Sequence, residues 1–187
     1  NLISEKVKGQ CHVVGNTALD NLVSYRSQCE YTNKVLVTLH RRENHHLMSH
    51  WFTEVNKLAS NNLDLEFILP IHPNPNVLKH KHLLSHVNTV GPLSHPALLN
   101  VLVECKMVIS DSGGLQEEGS FFNKKVIVCR KTTERPEGLS SGHLLLCNSP
   151  SKLQDKFEIV NSSFRINSSC PYGDGKSSVK IKNIIKH

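Results

Sequence analysis

Short apolar runs recur along this chain, and most are continuous rather than alternating, which constrains the fold more than any single motif does. The runs are HVV (12–14), KVLVTL (34–39), LEFILP (65–70), VNTV (87–90), MVIS (107–110), VIVC (126–129) and LLLC (144–147). A strand with one face in water alternates apolar and polar residues; a strand covered on both faces does not. Helical spacing fills the gaps between runs. It is carried by Trp51, Val55 and Leu58, by Val77, His80, Leu83 and Leu84, by Ala97, Leu98, Val101 and Leu102, and by Leu153, Phe157 and Val160. Strands alternating with such helices predict βαβ units, an α/β fold with a parallel sheet, and helices on both faces. Residues 161–175 read as loop, and 176–187 as a terminal helix.

A chain of 187 residues suits one well-buried domain. No apolar run approaches the roughly 20 residues of a membrane helix, and the first residues lack both a signal pattern and a starting Met. A processed or partial chain in the cytoplasm is the expectation, with no membrane partner. The net charge is +6 and aromatic residues make up 5%. That balance fits a small anionic ligand, and it offers few stacking platforms for nucleic acid. The six cysteines form no CxxC pair, and Cys105, Cys129 and Cys147 lie in or beside apolar runs, as buried reduced thiols do. Asn161 and Asn167 begin glycosylation patterns, which without a signal peptide read as chance matches.

In a parallel sheet, ligands bind beyond the carboxyl ends of the strands. Four polar stretches fall there: 40–43, 72–76, 110–114 and 132–137. The stretch SDSGGLQEE (110–118) places Ser112, Gly113 and Gly114 between a strand and a helix. Free amides and the helix dipole make that a natural anion site, and glycine lets a phosphate approach the backbone. Ser112 can cap the helix or bond a phosphate, and Glu118 can accept from a ribose diol. A plain helix cap with solvated glutamates is the competing reading. A serine nucleophile is disfavoured, because the elbow pattern wants Gly where Ser110 stands.

His40, Arg41 and Arg42 follow a strand, where arginine can clamp a diphosphate and histidine can carry a proton. A charged surface loop is the alternative. His45, His46 and His50 do not form a metal site on spacing, since adjacent histidines point apart. Arg135 precedes Pro136 and is held extended, with Glu134 and Glu137 available to hold nearby loops.

Five segments together resemble the non-hydrolysing UDP-N-acetylglucosamine 2-epimerase family: VGNTALDNL (14–22), VLVTLHRREN (35–44), LPIHPNPNV (69–77), SDSGGLQEEGSFFNKKVIVCRKTTERPEG (110–138) and PYGDGKSS (171–178). The resemblance implies a glycosyltransferase-B-type architecture of two Rossmann-like halves, with this chain, 1–187, as the C-terminal half that holds UDP. By motif, Ser112, Gly113, Gly114 and Glu118 would bind diphosphate and ribose, and Arg135 the phosphates. His40 would be the active-site histidine, and Leu98 would stand beside the uracil. Arg41, Arg42 and His72 would lie at a second, activating UDP-sugar site.

The family reaction inverts C2 through UDP elimination and re-addition, without nicotinamide or metal. Its acid/base carboxylates belong to the N-terminal half, so the 187 residues are expected to bind UDP-sugar weakly and not to epimerise. Partners implied are that half and, for the whole protein, a second copy in a homodimer. A glycosyltransferase, a hydrolysing 2-epimerase and a stand-alone UDP-binding module remain as alternatives.

Overall fold

The computed structural model describes residue 5 and residues 8–186. Six strands form one sheet: β1 (Lys34–Thr38), β2 (Glu66–Pro70), β3 (Asn88–Val90), β4 (Met107–Ser110), β5 (Val126–Val128) and β6 (Leu144–Leu146). Their order is β3-β2-β1-β4-β5-β6, with every pairing parallel. The order reverses between β1 and β4, in register from Val35 opposite Met107 to Thr38 opposite Ser110. Crossovers leave β1 and β4 toward opposite sides there, so a crevice opens at their carboxyl ends.

Alternate residues of the continuous apolar runs feed two cores. Val35, Val37, Met107 and Ile109 face Trp51, Phe52 and Val55 of α1 (Met48–Asn61) and Phe157 of α6 (Leu153–Ser162). Leu36, Val108, Val126 and Val128 face Leu99, Leu102 and Val103 of α3 (His95–Glu104) and Leu115 and Phe121 of α4 (Gly113–Phe121). Each large side chain so covered contributes about 1.5–3 kcal/mol of transfer free energy. Both faces are filled, which is why the runs do not alternate. The six thiols are unpaired, and burial pushes Cys105 up to about 12, leaving it packed and unreactive.

Two local expectations are corrected, and one element is new. Residues 12–14 form no strand, and Val13 is 100% exposed. Three residues with no neighbouring strand find no ladder; the chain runs on instead to bond Asn16 N–H to the Tyr172 carbonyl at 2.8 Å. The spacing of Val77, His80, Leu83 and Leu84 does not make one helix. It splits into α2 (Pro75–Leu78) and a 3-10 turn, Lys81–Leu83, because the polar run 79–82 offers nothing to bury between Val77 and Leu84. A 3-10 helical segment, Thr17–Gln28, was not foreseen; it buries Leu19 and Leu22 and packs Tyr25 partly, a spacing of three that suits three residues per turn.

The expected terminal helix is α7 (Ser177–Ile185). Its cap comes from far away in sequence: Asp20 accepts from the amides of Ser177 at 2.9 Å and Ser178 at 2.7 Å, and from the Ser178 hydroxyl. Gly15 and Gly173 pack backbone to backbone beside it, where a Cβ on Gly15 would meet Ser177 Oγ at 2.9 Å. Among the described residues no helix is long and apolar enough to cross a membrane.

Candidate functional site

The reversal between β1 and β4 brings HRREN and DSGG together, and Asp111 joins them. Its buried carboxylate accepts from His40 N–H at 3.0 Å, Arg41 N–H at 2.9 Å and Asn44 Nδ2 at 2.9 Å. Asn44 also donates to the Cys129 carbonyl at 2.9 Å and accepts from Trp51 Nε1 at 3.3 Å, which ties the turn to the core. A carboxylate bonded to two amides of a loop fixes that loop's path.

Next to it, α4 begins. Ser112 stands at the N-cap position but its hydroxyl makes no capping bond, so it remains available to a ligand. A helix leaves its first-turn amides without internal partners, and its dipole makes that end positive. The two glycines differ in what they admit. A Cβ on Gly114 would meet nothing within 4 Å, whereas one on Gly113 would lie 2.9 Å from Arg135 Nη1. Gly113 therefore leaves room for the guanidinium at the helix start.

Gln116, Glu117 and Glu118 follow one another at about 100° per residue around the helix, so each faces a different neighbour. Gln116 is buried, and its carbonyl oxygen accepts from Thr133 Oγ1 at 2.6 Å. Glu117 accepts from Arg135 Nε at 2.7 Å and, on its other oxygen, from Asn16 Nδ2 at 2.7 Å. Glu118 faces the crevice, with Oε1 3.0 Å from His95 Nε2. Arg135 is fixed further by Thr133 Oγ1, which accepts its N–H at 3.2 Å, and by the Tyr172 hydroxyl, which donates to its carbonyl at 3.4 Å. Burial lowers the Arg135 pKa, but its bonds to Glu117 and Glu134 outweigh that and raise it.

The crevice itself is an open cavity of about 270 Å³. His40, His72, Leu98, Ser112, Gly114 and Glu118 all line it. The volume lies just below the roughly 300–1,000 Å³ of complete small-molecule pockets, as one wall of a larger cleft would. Burial pulls the His40 pKa down; Asp111 opposes this, and His72, Arg41 and His45 reinforce it. His40 is thus neutral near pH 7 and able to donate from one ring nitrogen while accepting at the other. Arg41 and Arg42 do not line the cavity. They are exposed and border a separate depression with Glu43 and Arg130.

His72 therefore stands with His40 and not with the two arginines it was grouped with by motif. Glu137 makes no side-chain bond among the described residues; Glu117 is the second carboxylate on Arg135. Glu117, Asp111 and His95 were missed because nothing in their spacing marks them. Glu117 sits beside Glu118, and only the helical turn separates their roles. No group of three or more metal-ligating side chains gathers among the described residues.

The family model described as UDP-N-acetylglucosamine 2-epimerase matches residues 1–186. The chain belongs to that family. A UDP-N-acetylglucosamine 2-epimerase of Campylobacter jejuni is 34% identical over 170 residues, covering 81% of this chain and 42% of its own length. A Neisseria meningitidis UDP-GlcNAc 2-epimerase solved with UDP-GlcNAc superposes with a TM-score of 0.84 at 28% identity, covering 100% of this chain and 58% of its own. The S. aureus MnaA–UDP co-structure gives 0.82 at 33% identity, covering 99% and 56%. The chain spans about half the length of the curated 2-epimerases it matches.

Proposed function

We propose that this chain is the nucleotide-holding part of a UDP-N-acetylglucosamine 2-epimerase. The observation that carries the reading is the convergence at the β1–β4 reversal. The start of α4 with its unpartnered amides, the free Ser112 hydroxyl and a neutral His40 border one open cavity, and Arg135 stands outside its lining, against Gly113 at the helix start. Amides and a guanidinium suit the diphosphate of UDP. Glu118 suits the ribose hydroxyls, and Leu98 supplies an apolar wall for the base.

In the reaction proposed, the C2 proton leaves, the C1–oxygen bond to UDP breaks, and a 2-acetamidoglucal forms. UDP then re-adds at C1 while C2 is protonated from the opposite face. Negative charge grows on the departing diphosphate, where cationic and amide donors stabilise it. His40 supplies a ring N–H to that oxygen. The acid and base at C2 lie outside these residues, as do the second copy of the whole protein and the rest of the cleft. We assign Arg41 and Arg42 to a second, activating UDP-sugar; His72, which the motif grouped with them, lines the cavity beside His40 instead.

Titration calorimetry with UDP tests the cradle. Arg135→Ala and Glu118→Ala should each weaken binding by about tenfold or more, the loss of one charge-assisted bond or bonded pair. Unchanged affinity in both would refute the site. In the full-length protein, UDP-GlcNAc and UDP-ManNAc should interconvert without an acceptor. Release of free sugar would mark a hydrolysing enzyme, and a requirement for an acceptor would mark a transferase. Turnover by the 187 residues alone would overturn the division of labour proposed.

A further inference from the structure

Arg135 has two carboxylate partners of different kinds. Its Nε donates to Glu117, which is anchored on α4 and held on its other oxygen by Asn16. Its Nη1 donates to Glu134 Oε1 at 2.6 Å. Glu117 is 20% exposed and Glu134 56%. Glu134 has a second cation: Arg130 Nη1 donates to its other oxygen at 2.8 Å, and Arg130 Nε donates to Glu43 at 2.6 Å. Two guanidinium nitrogens lie close to a Cβ on Gly113, Nη1 at 2.9 Å and Nη2 at 3.2 Å. Glu134 holds Nη1, so an anion at the cradle and Glu134 compete for the same end of the guanidinium.

We propose that Glu134 is a displaceable counter-ion of Arg135: a diphosphate at the α4 amides takes Nη1 from Glu134, Glu117 keeps Nε, and Glu134 stays paired with Arg130. This rests on the reading that UDP diphosphate binds at the start of α4. The exchange is inexpensive. An ion pair with a carboxylate as exposed as Glu134 contributes little, and Arg130 leaves Glu134 with a partner afterwards. Glu117 is a positioning residue, because its two anchored oxygens hold the guanidinium plane whichever anion occupies Nη1. Glu134 lowers affinity for the diphosphate, which suits a site whose UDP must leave and rejoin the sugar.

The test is calorimetric titration of the chain and its variants with UDP and with uridine, which lacks the diphosphate. Glu134→Gln should tighten UDP about two- to fivefold, the removal of one exposed competing pair, and leave uridine unchanged. The gain should shrink at high salt. Glu117→Ala should weaken UDP about tenfold, and Glu117→Gln, which keeps an acceptor for Nε, should recover part of the loss. A Glu134→Gln protein that binds UDP no tighter, or that tightens uridine equally, would overturn the inference. So would Glu117→Ala and Glu134→Gln moving affinity in the same direction. If the unaltered chain binds no UDP while its melting curve shows it folded, the cradle reading itself fails. Binding without a Glu134 effect removes only the counter-ion exchange.

Discussion

His40 and His72 stack with ring centroids 5.1 Å apart and planes 16° from parallel, although they are 32 positions apart in the chain. Two imidazolium rings at that distance repel, so a charged His72 makes His40 harder to protonate. Burial lowers His40 first, and His72 adds to it. His72→Asn should raise the His40 pKa toward its ordinary value near 6.5. Ring-proton NMR titration reads this directly, and an unmoved His40 would show that burial acts alone.

Acid should destabilise the fold earlier than carboxylate protonation alone predicts. His40 and His143 both have folded pKa values lowered by burial from 6.5. The unfolded chain therefore binds their protons more readily, so their contribution is complete above pH 6.5 and is lost as pH falls through the folded values. Melting temperature should drop as pH falls below 6.5, and the double variant His40→Asn, His143→Asn should flatten that part of the profile. A wild-type profile flat across this range would sink the prediction.

Asp111→Ala should loosen the whole HRREN turn. Removal of the carboxylate strands the amides of His40 and Arg41 and the Asn44 side chain, at about 1–3 kcal/mol per buried unsatisfied group. Denaturant unfolding should show a loss in that range or above, and Asp111→Asn, which keeps one acceptor oxygen, should lose less. Equal losses would mean the carboxylate only fills space.

Gly138→Ala should weaken the arginine loop through packing rather than charge. A Cβ there would meet the Tyr172 hydroxyl and come within 2.5 Å of Leu144 side-chain carbons. Tyr172 is the residue that donates to the Arg135 carbonyl. Overpacking of this kind costs about 1–3 kcal/mol, and UDP affinity should fall with stability. A stable variant with intact affinity would show that the loop gives way freely.

Asp20→Ala should release the start of α7. The amides of Ser177 and Ser178 lose their acceptor, so their hydrogen exchange should accelerate while β1 and β4 amides stay protected. The Ser178 bonds lower the Asp20 pKa below 3.8, so the same release should appear in the unaltered protein only as pH falls below that value. Uniform acceleration across the sheet would indicate global unfolding instead.

The sequence by itself determined the layered α/β fold, because strands covered on both faces must be continuously apolar. It also placed the candidate site at the strand ends, since that is where polar stretches follow apolar runs. His40, Ser112, Gly114 and Glu118 were legible as site candidates for that reason, Leu98 only through the family resemblance, and all five line one cavity. Chain order carries no information about sheet order. Only the tertiary structure decided that β1 and β4 are neighbours, which sets Asp111 under His40, and that HPNP brings His72 onto His40. It also decided which of two adjacent glutamates meets Arg135, because 100° of helical rotation sends Glu117 and Glu118 to different partners. VGNTALD and PYGDG carried part of the family resemblance in the sequence. Folded, they place Asp20 on the amides of α7, a bond between residues 157 positions apart that no local pattern could disclose.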